Sequence, residues 1–171
     1  MEGDWIEIPG SGGASILPFT RYPDVCCSNA YLVRTLREII VIDTGADEAH
    51  IASVVAAICA ANGEHPRDVS VLLTHCHLDH AYGVIRHREW IKSSRVAVFA
   101  QEEGALALEA GDPHQTVAEM YGREIEPVPV DVHLLTREDR ACGGERTVEA
   151  RGRTVRLSTD RVQVDDETVL Y

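Results

Sequence analysis

The chain has 171 residues, 44% of them apolar, which is enough to bury one good core and too little for a second full domain, so residues 1–171 are read as a single domain. Lys and Arg number 16 against 28 Asp and Glu, and the formal net charge of −12 repels nucleic acid and anionic lipid surfaces. The amino terminus has no basic start followed by an apolar run, and no stretch approaches the roughly 18 apolar residues of a membrane span. The expectation is a soluble, cytoplasmic chain with no nucleic-acid or membrane partner.

Residues 30 to 34 ("AYLVR") and 38 to 42 ("EIIVI") are rich in β-branched and aromatic residues and flank the short connection "TLR", a pattern that predicts two strands. The second runs into "DTGAD", after which Ile51, Val54, Val55 and Ile58 recur at helical spacing. A helix from about Asp47 to Ala61 is predicted, opened by an acidic turn and closed by Asn62 and Gly63. The nearly unbroken apolar run "DVSVLLT" (68 to 74) reads as a strand covered on both faces. Beyond it, "RVAVFA" (95 to 100) reads as a strand, "EEGALALEAG" (102 to 111) as a helix, "HQTVAEMY" (114 to 121) as a further helical turn or two, and "PVPVDVHLL" (127 to 135) as a strand. Strand and helix in alternation predict a layered α/β domain. The tail from 140 carries the short segments "RTVEA", "RTVRLS", "RVQV" and "ETVLY" and reads as a β-meander.

Five cysteines, Cys26, Cys27, Cys59, Cys76 and Cys142, are odd in number and form no CxxC pair. They are neither a disulfide framework nor a zinc finger. Cys59 is expected in the core, as free cysteine usually is.

The chemistry is concentrated in "THCHLDH", residues 74 to 80, at the carboxyl end of the predicted strand. On an extended backbone His75 and His77 project to one side and Cys76 to the other. Two imidazoles so placed make a half-site for zinc, which takes nitrogen ligands in tetrahedral geometry. Asp79 and His80 offer a carboxylate and a further imidazole to a second ion close by. Three histidines and an acid crowded at the open end of a core strand are hard to account for as solvated loop residues.

The motif resembles the T-H-x-H-x-D-H signature of the metallo-β-lactamase superfamily, and "NAYLV" (29 to 33), "VIDTG" (41 to 45) and "VSVLLTH" (69 to 75) agree with it. The resemblance covers about residues 4 to 135 and lies nearest to hydroxyacylglutathione hydrolase-like members; Tyr82-Gly83 stands where the family usually has two glycines. It implies an αββα sandwich, incomplete in its second half, and a zinc hydrolase in which a metal-bound hydroxide attacks an ester, thioester or amide carbonyl of a small molecule. In the family, residues matching His75 and His77 bind the first ion. Those matching Asp79 and His80 bind the second and belong to the catalytic centre, and the one matching Asp43 supports the loop from behind. One or two zinc ions are implied, with iron or manganese as alternatives because imidazole and carboxylate choose weakly among such metals.

The family completes its centre with a further histidine in a segment like T-P-G-H-T and with later ligands. Here "RLSTDRVQVDD" occupies that place, and after the cluster only His87, His114 and His133 occur. His133 is expected to be an ordinary sheet residue and His114 a helix-start or surface residue. The chain is therefore expected to be truncated at its carboxyl end. The alternative to an enzyme is a catalytically impaired remnant or interaction module, which associates with a second copy through an exposed sheet edge.

Overall fold

In the computed structural model, residues 4–20, 28–63, 67–93, 95–137, 145–158, 161–165 and 167–170 are described, and among them eleven strands form two sheets. The first sheet holds, side by side in chain order, β1 (Ile6–Glu7), β2 (Ser15–Phe19), β3 (Ala30–Arg34), β4 (Glu38–Ile42), β5 (Asp68–Leu72), β6 (Val96–Gln101) and β7 (Val132–Leu134). Pairing is antiparallel from β1 to β4 and parallel from β4 to β7. The second sheet is an antiparallel meander of β8 (Arg146–Ala150), β9 (Arg153–Leu157), β10 (Val162–Val164) and β11 (Glu167–Leu170), as the tail predicts. The helices are α1 (Glu48–Asn62), α2 (Leu78–Arg86), α3 (Arg88–Ile91) and α4 (Glu102–Ala110), with a 3-10 turn at Ala118–Tyr121.

The uninterrupted apolar sequence of β4 is explained by its two covered faces. Ile39 and Val41 pack into the cluster that holds Ile51, Val54 and Ile58 of α1, Val84 and Ile85 of α2 and Leu108 of α4. Ile40, with Leu72, Phe99 and Val132, packs instead against Val155, Leu157 and Val164 of the second sheet. Alternate side chains of one strand thus serve two cores. The layers run helices, large mixed sheet, small sheet, and Thr147, Glu149 and Arg156 on the small sheet are exposed. This is the expected α/β sandwich; among the described residues no helix covers the far side of the second sheet.

One buried ionic network ties the sheets together. The Arg153 guanidinium on β9 donates to Glu38 Oε2 at 3.2 Å, to Ser70 Oγ at 3.1 Å and to the Val69 carbonyl at 3.4 Å, while Ser70 Oγ donates to the same Glu38 oxygen at 2.8 Å. It lies where β4 begins, at the end opposite Ile42.

Helix α1 starts as predicted, with the Asp47 side chain accepting from the His50 N–H at 2.9 Å. Cys59 corrects the reading: it is exposed. A residue advances about 100° around a helix, and the one step from buried Ile58 carries Cys59 off the covered stripe. Cys26, Cys27 and Cys142 lie outside the described residues. The strand expected over 127 to 135 shrinks to Val132–Leu134, because Pro127 and Pro129 bring no N–H to a ladder. Helices α2 and α3 and strands β1 and β2 are elements the pattern did not suggest. Pro18 argues against β2, yet β1 covers only Ser15 and Ile16, so at Pro18 the strand is an edge, where proline is tolerated. No helix among the described residues is long and apolar enough to cross a membrane.

Candidate metal centre

Parallel pairing sets the carboxyl ends of β4 and β5 side by side, and the residues just past them interlock. Asp43 turns the chain with a left-handed φ of 56°, its N–H bonded to the Leu72 carbonyl at 2.9 Å. Its buried carboxylate accepts three bonds. Oδ1 takes the Thr74 N–H at 2.8 Å, and Oδ2 takes the Thr74 hydroxyl and His80 Nδ1, each at 2.7 Å. Thr44 follows, its N–H donating to the His80 carbonyl at 2.7 Å and its Oγ1 accepting the Gly83 N–H at 2.9 Å. Gly83 has to be glycine, since a Cβ there would stand 2.4 Å from Ile51 Cδ1 and 2.7 Å from Thr44 Cβ. The second of the two family glycines is thus the one the packing requires. Gly45 completes the turn at φ 83°, with the His50 ring 2.6 Å from where its Cβ would be.

Helix α2 begins with His77 at its cap position, so the cluster spans the loop after β5 and the helix's first turn. The rings of His75 and His77 meet edge to face with centroids 4.6 Å apart, and those of His75 and His80 are 3.9 Å apart at 48°. Asp79 brings Oδ2 to 3.7 Å from His80 Nε2. Cys76 points away, its Sγ 3.6 Å from the Gln115 carbonyl and its Cβ 3.2 Å from where a Cβ on Gly104 would be. Burial pushes that thiol's pKa up. Burial and the neighbouring His80 and His77 push the His75 pKa down, whereas the hydrogen bond to Asp43 pushes that of His80 up.

The cluster fits an ion in part. Two ligand atoms of one tetrahedral zinc, each about 2.0–2.2 Å from it, stand roughly 3.3–3.5 Å from one another. Asp79 Oδ2 and His80 Nε2 are near that spacing, with the other His80 nitrogen held by a carboxylate as metal-binding imidazoles usually are. Among the described residues, however, no three His, Cys, Asp or Glu groups are gathered closely enough to hold an ion as they stand. The remaining histidines lie elsewhere. His133 is a sheet residue paired with Ala100, its Nε2 3.1 Å from Glu109, and His114 is on the surface 2.6 Å from Glu119, both as expected. His87 ends α2 beside Glu48. Of the segment that stands in place of T-P-G-H-T, the described residues belong to the ends of β9 and β10, which pair antiparallel, with the Ser158 N–H donating to the Arg161 carbonyl at 2.9 Å.

Sequence reasoning named Asp43 and the four cluster residues as candidates but gave no role to Thr44, Thr74 or Gly83. Their signal was present in "DTG" and in the threonine before His75; their roles depend on contacts between segments more than 30 residues apart.

Comparison with proteins of curated function finds no match. The family described as the Metallo-beta-lactamase superfamily matches residues 23–168. The native FEZ-1 metallo-beta-lactamase from Legionella gormanii superposes with a TM-score of 0.55 at 18% identity, over 97% of this chain and 56% of that one. A HARLDQ-motif mutant of the metallo-beta-lactamase from Cronobacter sakazakii gives 0.52 at 18% identity, over 87% and 59%. This chain thus spans little more than half the length of these solved relatives. At such identity they speak for the fold alone, and they do not show the nearness to hydroxyacylglutathione hydrolases that the sequence suggested. On the strength of the family match, the chain belongs to the metallo-beta-lactamase superfamily.

Proposed function

We propose that the chain is a metal-dependent hydrolase of small molecules bearing an ester, thioester or amide carbonyl, with His75 and His77 binding one zinc ion and Asp79 and His80 a second. The observation that carries this reading is the gathering of three imidazoles, with Asp79 Oδ2 facing His80 Nε2 at 3.7 Å. Zinc in such a place lowers the pKa of a bound water to about 7 and polarises a carbonyl. The protein's part is positional. Asp43 fixes the ring of His80 from its far nitrogen, Thr44 anchors the backbone of His80, and Asp79 offsets the positive end of α2, which would otherwise oppose a cation. The net charge of −12 disfavours polyanionic substrates. Iron or manganese would suit the same ligand types.

A chain stripped by chelator, reloaded with zinc and desalted is expected to keep metal in proportions that fall in His75→Ala, His77→Ala and His80→Ala. Turnover of an ester and thioester panel should fall with it. A wild type that retains no more zinc than the three variants overturns the reading.

A second reading is favoured by one observation, the lack of a three-ligand group among the described residues: a remnant that binds metal loosely and turns over nothing. The same experiment separates the two, since a remnant would show weak, easily chelated zinc and no hydrolysis above the variants.

A further inference from the structure

We infer that Thr74 is a positioning residue that extends the grip of Asp43 from His80 to His75, so that one buried carboxylate sets the proton position on both rings. The inference rests on the metal-centre reading above for its purpose, but not for its geometry. Thr74 Oγ1 lies 2.7 Å from Asp43 Oδ2 and 3.1 Å from His75 Nδ1. A carboxylate only accepts and a hydroxyl has a single proton to give, so the threonine proton goes to Asp43. What Thr74 then turns toward His75 is a lone pair. For that contact to be a hydrogen bond rather than a repulsion, His75 must carry its proton on Nδ1. The same argument applies directly to His80, whose Nδ1 is 2.7 Å from the same Oδ2. Both rings are thereby left with an unprotonated Nε2, the form in which an imidazole binds metal.

The arrangement is fixed at each joint. The Thr74 N–H on Oδ1 stops the carboxylate from rotating, and β-branching restricts the threonine side chain itself. The relay also joins the two halves of the cluster, because His75 belongs to the first pair of proposed ligands and His80 to the second.

Long-range proton–nitrogen correlation spectra of the 15N-labelled, metal-free chain, at a pH that leaves all eight imidazoles neutral, read the tautomer of each histidine. His75 and His80 are expected as Nδ1–H. Thr74→Val, which removes the hydroxyl and keeps the shape, should move His75 toward the Nε2–H form that free imidazole prefers and leave His80 unmoved. Thr74→Ser should restore the wild-type spectrum. Zinc affinity should fall about 10–100-fold in Thr74→Val, the usual effect of losing such a partner, and recover in Thr74→Ser. His75 found as Nε2–H in the wild type, or unmoved by Thr74→Val, overturns the proposal, and the wild-type spectrum decides by itself if the valine variant does not fold. Zinc binding with an unmoved His75 would sink the relay and spare the metal reading. Tautomers as described in a chain that binds no zinc would do the reverse.

Discussion

Asp43 holds a left-handed backbone at φ 56°, which costs a non-glycine residue on the order of 1 kcal/mol, and repays it by accepting three hydrogen bonds from two segments. Asparagine tolerates that backbone and would still accept the Thr74 N–H. Its amide group, placed where Oδ2 now is, would donate toward His80 Nδ1 and force the ring's proton onto Nε2, removing the lone pair that faces Asp79. Asp43→Asn is therefore expected to melt within a few degrees of the wild type while its zinc affinity, measured by calorimetric titration, drops about 10–100-fold. A large loss of stability with zinc binding intact would contradict the assignment. The clustering of this site was legible from residue identities alone, because three histidines and an acid fall within seven positions of one strand end. Its wiring was not, since Thr74 and Thr44 are ordinary strand-end residues until folding brings Asp43 and His80 to them.

Helix α1 shows how a local signal can be enough. Asp47, the acidic first turn and the apolar stripe at 51, 54 and 58 specify it, and the structure adds the bond from the His50 N–H to Asp47. Asp47→Ala should cost about 1 kcal/mol, read as a shift of the urea midpoint with unchanged slope. Strands β3 to β6 were legible for a related reason: they are covered by other elements and so run apolar almost without break. Helix α2 was hidden, although Leu78, Ala81, Tyr82 and Ile85 have helical spacing, because the histidine-rich cluster fills its first turn and dominates the pattern. Cys59 was misplaced by treating an apolar helix as buried all round, whereas only one stripe of α1 is covered. In the segment 127 to 135, alternation of proline with valine imitated a strand whose hydrogen bonds the prolines cannot make.

Across the whole molecule, the two sheets are joined by apolar contacts and by the buried Arg153, Glu38 and Ser70 network. Removing one partner of a buried ion pair leaves the other unpaired, so Arg153→Leu should lose about 3–5 kcal/mol of stability in denaturant titrations, and a second change, Glu38→Leu, should recover most of it. If the double variant is no better than the single, the network does not act as a pair. The network lies at the far end of β4 from Asp43, so these variants should not alter the histidine tautomers. The architecture itself was readable from the order of strands and helices; the packing of the meander on the large sheet was not, because it depends on a bond between residues 115 apart in sequence. At the other end of β4, the bonds that orient His80 come from neighbouring strand ends, and the conformational freedom of that ring was surrendered as the chain folded. A cation reaching the cluster would meet one imidazole already at rest, and no turning of the His80 ring would have to precede its contact with that nitrogen.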